Sequence, residues 1–226
     1  MTRPVCAIVG AGPGNGAAFA RRFAAAGYSI ALLSRSTGFS ARLAAELDGA
    51  RAYTCDASEP ASIAEAFAHI AEQLGDVAVL IYNAGGGSWM TVEEISPAAF
   101  EHGWRVNALG GLVASQQVIP AMKRNGSGHI IFVGATASLR GIPKTAGFAS
   151  AKAAQRALAQ SMAKHLWPQG IHVALIVIDG GIGEAGVTGG EQLDPNDIAS
   201  LAHHLTTQPA SCWSFEVEAR PHKEKW

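Results

Sequence analysis

The chain has 226 residues, of which 15% are charged, and its formal net charge at pH 7 is −1. Because no long run of one charge sign occurs, the sequence has no electrostatic footprint for nucleic acid or an anionic membrane, and small molecules or copies of the chain are the expected partners. We expect residues 1–226 to form one domain, since single α/β domains routinely exceed 200 residues.

The cysteines and the first residues predict the compartment. Cys6, Cys55 and Cys212 are far apart and in no metal-ligand spacing, which indicates ordinary buried or semi-buried thiols, no metal site and a reducing compartment. The apolar run that begins at Val5 leaves no room for a cleaved leader. No apolar run approaches the roughly 20 residues of a membrane span, so we expect a soluble, cytoplasmic protein.

Short β-rich runs alternate with helical patterns along the chain. The predicted strands cover residues 5–9, 29–34, 51–54, 77–82, 129–134, 171–178 and 213–218. They are near-continuous apolar runs, as expected where both faces of a sheet are buried. Repeated βαβ units with right-handed crossovers predict an α/β fold with a doubly wound, mostly parallel, seven-stranded Rossmann-type sheet and helices on both faces.

Ala-rich stretches between the strands predict the helices. They cover residues 15–26, 61–74, 97–123 and 147–167, and a further helix begins near Asp194. In the helix over 147–167, residues at spacings of three and four predict one apolar face. The members of this predicted face are Ala151, Ala154, Leu158, Ser161, Met162 and His165.

A glycine-rich turn joins the first strand to the first helix. Gly10, Gly14 and Gly16 supply unusual backbone angles and allow a pyrophosphate to approach the main chain, and Asn15 lies between the last two glycines. The helix N-terminus that follows offers amide donors to an anion. This context predicts a dinucleotide site, and the alternative is a glycine-rich turn without a ligand.

The end of the second strand predicts which dinucleotide is bound. An acidic residue there would accept hydrogen bonds from the ribose 2′-hydroxyl of NAD, whereas this chain has Ser34 and Arg35. A guanidinium pairs with a 2′-phosphate, so NADP is favoured over NAD. The alternative is that Arg35 is an ordinary solvated arginine at a strand end.

Two further segments extend the cofactor site. Asp56 and Ala57 close the third strand, and Asn83, Ala84 and Gly85 follow the fourth. With the glycine spacing, they resemble the short-chain dehydrogenase/reductase family. The resemblance implies that Asp56 and Ala57 meet the adenine ring and that the second segment packs near it; Asp56 could equally lie on the N-cap side of the next helix.

The stretch from Phe148 to Lys152 resembles the Tyr-x-x-x-Lys element of that family, with phenylalanine in place of tyrosine. The family's substrate-orienting serine falls on Ala135. The resemblance therefore implies that both hydroxyls at the reacting oxygen are missing. General acid catalysis typically contributes about 10²–10⁴-fold to rate, so this loss bears directly on activity.

The resemblance also implies roles for Lys152, Asn107 and Ile182 near the nicotinamide. Lys152 would bind the nicotinamide ribose, and Asn107 would bend its helix and help hold a water behind that lysine. Ile182 would meet the nicotinamide carboxamide through its backbone. The alternatives are that Lys152 is an ordinary solvated lysine and that Asn107 has no such role and mildly destabilises its helix.

Two functions follow from these residues. The first is an atypical oxidoreductase acting on a carbonyl or alcohol, with Lys152, Asn107 and water handling the proton, or with Thr136 or Ser138 as a substitute hydroxyl. The second is a catalytically silent NADP(H)-binding protein that serves as sensor, partner subunit or scaffold. The family's long helices pair across a two-fold axis, which implies a homodimer or homotetramer.

Overall fold

Seven parallel strands form one sheet in the computed structural model, which describes residues 3–186 and 189–224. The strands are β1 (Val5–Val9), β2 (Ser29–Ser34), β3 (Ala50–Thr54), β4 (Val77–Tyr82), β5 (Gly128–Ala135), β6 (Ile171–Ile178) and β7 (Glu216–Ala219). Their order is β3-β2-β1-β4-β5-β6-β7, and every pairing is parallel. The predicted doubly wound Rossmann-type fold is confirmed.

Helices cover both faces of the sheet. They are α1 (Asn15–Ala25), α2 (Thr37–Glu46), α3 (Pro60–Gln73), α4 (Pro97–Trp104), α5 (Gly110–Asn125), α6 (Ala146–Leu166) and α7 (Pro195–Thr206). Side chains alternate across each strand, so β1 sends Ala7 to the face covered by α3, α5 and α6. Its neighbour Ile8 goes to the face covered by α1, α2 and α7. Burial on both faces explains the apolar strands.

The prediction of one continuous helix over 97–123 is wrong, because a π turn interrupts the helix. α4 ends at Trp104, a π turn covers Arg105–Leu109, and α5 starts at Gly110. The amide of Gly110 donates to the carbonyl oxygen of Arg105, five residues back, so the helix contains one extra residue there.

The buried face of α6 also differs from the predicted one. Ser161 and His165 are exposed, whereas Lys152 and Gln155 are buried. Both polar side chains have hydrogen-bond partners inside the protein: Lys152 donates to Val133 and Gln155, and Gln155 donates to the Asn107 carbonyl oxygen. The buried residues of α6 are Gly147, Ala151, Lys152, Gln155, Ala159, Met162, Ala163 and Leu166.

The last strand begins later than its predicted range of 213–218. The indole of Trp213 donates to the carbonyl oxygen of Gln208, and the amide of Ser214 donates to the Gln208 side chain. These bonds hold residues 213 and 214 in the turn that precedes β7. The strand pairing with β6 therefore runs over residues 216–219.

Two of the three cysteines match the predicted thiols. Cys6 and Cys55 are buried and unbonded, whereas Cys212 is exposed because it ends a short turn at the surface. Within the described ranges, no group of three or more His, Cys, Asp or Glu side chains could hold a metal ion. No helix in those ranges has both the length and the apolar character needed to cross a membrane.

Candidate cofactor and substrate site

Two adjoining cavities open where the strands end at their carboxyl edge. The first, called here the large cleft, has a volume of about 970 Å³ and lies over the ends of β1 to β4. The second, the small pocket, has a volume of about 610 Å³ and lies over the ends of β4 to β6. Strand order reverses between β1 and β4, the place where open α/β sheets bind their ligands.

The predicted residues divide between these cavities. The large cleft is lined by Gly10, Ser34, Arg35, Asp56, Ala57, Asn83, Ala84 and Gly85. The small pocket is lined by Asn15, Asn83, Gly85, Lys152 and Ile182. Gly14, Gly16 and Asn107 belong to neither lining; Gly14 is exposed, whereas Gly16 and Asn107 are buried.

Glycine is needed at Gly10 and Gly16 of the first loop because a side chain would collide with neighbouring backbone. Gly10 has a φ of +93°, and a Cβ there would lie 2.6 Å from the backbone nitrogen of Ala84. A Cβ on Gly16 would lie 2.7 Å from the carbonyl oxygen of Gly10. At Gly12 and Gly14, by contrast, a Cβ would have nothing within 4 Å, so their backbone faces open space. The loop thus presents bare main chain to the cleft.

Asn83 fixes the loop against the sheet. Its side-chain amide donates to the carbonyl oxygen of Gly10 at 2.8 Å, and its backbone amide donates to that of Val9 at 2.9 Å. Asn15, at the start of α1, is only 7% exposed and faces the small pocket. Its Oδ1 has no hydrogen-bond partner among the described residues, which leaves a buried acceptor at the junction of the cavities.

The end of β2 carries the predicted specificity residues. Ser34 donates its hydroxyl to the carbonyl oxygen of Ser36 at 2.9 Å, so its side chain shapes the turn. Arg35 is exposed at the wall of the large cleft. Its guanidinium is therefore open to an anionic ligand.

Asp56 shapes the turn that precedes α3. Its Oδ1 accepts hydrogen bonds from the amide and hydroxyl of Ser58, at 2.9 and 2.7 Å, and so orders the turn before α3. These bonds hold the pKa of the Asp56 carboxyl below its ordinary value. The same residue lines the large cleft beside the buried Ala57.

Asn107 lies in the π turn and is fully buried. Its side-chain amide donates to the carbonyl oxygens of Gly86 at 2.6 Å and Gly103 at 2.8 Å. The first bond joins the turn to the segment that both cavities share. Asn107 Oδ1 is buried without a hydrogen-bond partner among the described residues.

Lys152 lies at the floor of the small pocket and is 5% exposed. Its Nζ donates to the carbonyl oxygen of Val133 at 2.9 Å and to Oε1 of Gln155 at 3.1 Å. Burial lowers the pKa of Lys152 to about 7, because the charged form loses its hydration. This amine can therefore gain or lose a proton near neutral pH.

The positions that lack hydroxyls face the same pocket. Phe148 and Ala135 both line it, and the Phe148 ring stacks on Trp89 with centroids 5.7 Å apart. Thr136 also lines the pocket, whereas Ser138 is buried outside the lining of both cavities. Because Thr136 lines the pocket and Ser138 does not, Thr136 is the better placed of the two substitute hydroxyls. No tyrosine in the described ranges lines the small pocket.

Asp179 ties the end of β6 to the end of the chain. Its carboxylate pairs with Arg220 in a short, largely buried ion pair and with Arg140 at 3.5 Å. Arg140 is one of the residues that line the small pocket. Asp179 thereby fixes one rim of the pocket.

Sequence reasoning missed several residues of this site, among them Gln155 and Trp89. Gln155 is buried against Lys152, and its spacing of three from that lysine was the available signal. Trp89 forms part of the pocket wall and comes from a loop with no periodic pattern. Neither could be placed before the loop and the inward face of α6 were known.

Comparisons with known proteins agree with this architecture. The model of the family described as short chain dehydrogenase matches residues 4–186. A 2-(S)-hydroxypropyl-CoM dehydrogenase of Xanthobacter autotrophicus is 30% identical over 177 residues, covering 76% of this chain and 69% of that protein.

Two solved structures resemble the whole chain. A short-chain dehydrogenase from Rhodopseudomonas palustris has a TM-score of 0.87 and 33% identity, covering 97% of this chain and 99% of that one. An alcohol dehydrogenase from the archaeon Thermococcus sibiricus, complexed with 5-hydroxy-NADP, has a TM-score of 0.89 and 28% identity, covering 99% and 98%.

Proposed function

Because the chain belongs to the short-chain dehydrogenase family, we propose that it is an NADP(H)-dependent oxidoreductase with an atypical active site. It interconverts a carbonyl compound and an alcohol in the small pocket. The observation that carries this proposal is the buried Lys152 amine, which has a pKa of about 7 and lies on the pocket floor where a tyrosine hydroxyl is absent.

The large cleft has features that suit a dinucleotide. Bare backbone around Gly12 and Gly14 leaves room for a pyrophosphate, and the start of α1 follows immediately. The unpartnered Oδ1 of Asn15 offers an acceptor for an amide N–H where the cleft meets the pocket. Arg35 supplies a cation at the end of β2 with no carboxylate beside it on that strand, which favours a 2′-phosphate and hence NADP.

The small pocket supports one proton transfer. Bound NADPH would supply a hydride, and the substrate oxygen then needs a proton. Lys152 can donate it near neutral pH, since its pKa lies close to the operating value for a general acid. Asn107 holds the carbonyl group of Gly86, a residue that lines both cavities.

The lining of the small pocket indicates the substrate class. Trp89 and Phe148 form a stacked aromatic wall, and Ile142, Ile178 and Ile182 add apolar surface. Flat aromatic faces pack best against planar or apolar groups. We therefore expect a carbonyl compound that carries an apolar or aromatic substituent.

One observation favours a second function. Phe148 and Ala135 both face the pocket, so neither position provides a hydroxyl at the reacting oxygen. A protein that binds NADP(H) without turnover, and acts as sensor, partner subunit or scaffold, would keep the large cleft and lose these groups. The two functions share cofactor binding and differ in turnover.

A single experiment separates them. NADPH oxidation is measured with a panel of aliphatic and aromatic aldehydes and ketones, and NADP reduction with the matching alcohols, for the parent and for Lys152→Met. We expect turnover with an aromatic carbonyl, and its loss in the variant while NADPH still binds. NADPH binding without turnover on every substrate would favour the silent function, and failure to bind either dinucleotide at millimolar concentration would exclude both.

The surface of α4 supports self-association. Phe100 and Trp104 are 40% and 41% exposed on this helix, which packs on α6. We propose a homodimer or homotetramer formed through the α4, α5 and α6 face. Light scattering of the parent and of Trp104→Glu tests this, and a parent that is a monomer at micromolar concentration would contradict it.

A further inference from the structure

A glutamine side chain is buried behind the amine of Lys152. Gln155 is fully buried, one turn along α6. Its Oε1 accepts from Lys152 Nζ at 3.1 Å, and its Nε2 donates to the main-chain carbonyl oxygen of Asn107 at 3.1 Å. The carboxamide thus spans the space between the π turn and the lysine.

One end of this bridge lies in the π turn. In a regular α-helix the carbonyl oxygen of Asn107 would accept from the amide four residues on. Around this turn the spacing changes, as the bond from Gly110 to Arg105 shows. The Asn107 carbonyl oxygen lies in this turn and accepts from the side chain of Gln155 on α6.

The groups that face the Lys152 amine are neutral. They are the carbonyl oxygen of Val133 on β5, Oε1 of Gln155 on α6 and the nearby Phe148 ring, 5.9 Å from Nζ. A Cβ placed on Gly85 would lie 3.2 Å from Nζ and 3.3 Å from Oδ1 of Asn107, so that oxygen borders the same space. Within the described residues, no carboxylate is hydrogen-bonded or ion-paired to this amine.

We propose that Gln155 is a positioning residue, whose neutral carboxamide fixes the Lys152 amine at the pocket floor and blocks proton exchange on its far side. An amide neither accepts nor releases a proton near neutral pH, so Lys152 exchanges its proton through the small pocket. The carboxamide also donates to the buried Asn107 carbonyl group, and an apolar residue would remove that bond. Any effect of Gln155 on catalysis depends on the proposed role of Lys152, whereas its effect on the Lys152 amine does not.

The two possible kinds of replacement have opposite consequences. A carboxylate at position 155 would bring a negative charge within hydrogen-bond distance of Nζ and favour the ammonium form. An apolar residue would remove an acceptor and favour the neutral amine. A purely structural glutamine would lower stability in both variants without moving the titration of Lys152 in opposite directions.

The titration of Lys152 tests the inference without any substrate. The full chain is labelled with ¹³C at the lysine Cε positions, and the signal lost in Lys152→Met is followed with pH by NMR. In the parent we expect a midpoint of about 7. Gln155→Glu should raise the pKa of Lys152 by about 1 to 3 pH units, and Gln155→Leu should lower it.

Gln160 gives the matched control, because it lies exposed on the same helix. Gln160→Glu should leave the Lys152 midpoint within a few tenths of the parent value. If Gln155→Leu does not give a folded spectrum, Gln155→Asn replaces it, since its shorter side chain cannot span the gap. An unmoved midpoint in the Gln155 variants, or an equal shift in Gln160→Glu, would overturn the assignment. Opposite shifts without any turnover would support it and count only against the proposed reaction.

Discussion

The indole of Trp89 stacks on the ring of Phe148, with an interplanar angle of 29° and centroids 5.7 Å apart. Trp89 is 65% exposed, so this contact covers one face of Phe148 from the solvent side. The Lys152 amine lies on the ring as well, 5.9 Å from its centroid. The Phe148 ring therefore lies close to both the exposed indole and the buried amine.

Restoring two hydroxyls should restore conventional proton transfer. Ala135→Ser combined with Phe148→Tyr places a donor at each position that lacks one, and both residues face the small pocket. We expect turnover of an aromatic carbonyl to rise by about 10²-fold, as a positioned general acid typically provides. The assay compares kcat of the double variant with Ala135→Ser alone, which restores no acid. Equal rates in the two variants would show that the Phe148 position no longer addresses the substrate oxygen.

Gly10 should tolerate no side chain. Gly10→Ala forces a positive φ on an alanine and places its Cβ against the backbone of Ala84, so we expect the free energy of unfolding to fall by about 2 kcal/mol or more. Urea unfolding followed by circular dichroism measures the change. Gly12→Ala is the control, because open space surrounds that position, and it should lie within about 0.5 kcal/mol of the parent. Equal losses would contradict the crowding seen at Gly10.

Asp179 should contribute far more to stability than a surface carboxylate. Asp179→Ala leaves the largely buried guanidinium of Arg220 without this partner, and we expect a loss of about 3 kcal/mol. Asp48→Ala removes a pair with Arg3 in which the two side chains are 86% and 49% exposed, and should cost less than about 1 kcal/mol. Denaturant midpoints of both variants, taken at one pH and salt concentration, decide between these outcomes. A similar effect for the two would argue against a stabilising role for the buried pair.

Acid should destabilise the fold through His129. Burial, with a smaller effect of the neighbouring His172, lowers the pKa of His129 from 6.5 to about 4. Between pH 6.5 and pH 4 the unfolded chain therefore binds a proton at His129 that the folded chain does not bind. The free energy of unfolding decreases as the pH is lowered through this range. The expected loss between pH 7 and pH 5 is about 2 kcal/mol.

A variant isolates this contribution. His129→Gln should reduce the fall in unfolding free energy between pH 7 and pH 5, measured by urea titration at each pH. His69→Gln, which alters an exposed histidine of α3, should keep the parent's dependence. If all three proteins lose stability equally, the acid sensitivity originates elsewhere.

The sequence predicts the sheet well because apolar runs with both faces buried leave few alternatives. All seven predicted strands occur in the sheet. α2 escaped prediction because only Ser40 and Leu43 of that helix are buried, which gives too little periodicity to recognise. No proline or glycine at the start of the π turn marks it in the sequence. The Asn107 side chain and main chain in this turn bond to residues distant in sequence, Gly86 and Gln155.

The inward face of α6 shows where apolar periodicity fails. The pattern assigns Ser161 and His165 to the core, yet the helix buries Lys152 and Gln155. Their burial depends on acceptors from β5 and the π turn, which are distant in sequence. Sequence reasoning identified Lys152 through its motif and had no comparable signal for Gln155.

The extra residue in the π turn also sets the rotational phase of α5. Each residue turns an α-helix by about 100°, so one added residue changes which side of the following helix meets the sheet. In this phase the glycines at the start of α5 meet aromatic rings: a Cβ on Gly110 would collide with the Tyr82 hydroxyl, and one on Gly111 would lie 2.8 Å from the Phe132 ring. Deleting a single residue from the turn would bring Leu112 to the place of Gly111, against the Phe132 ring, and push α5 off the sheet.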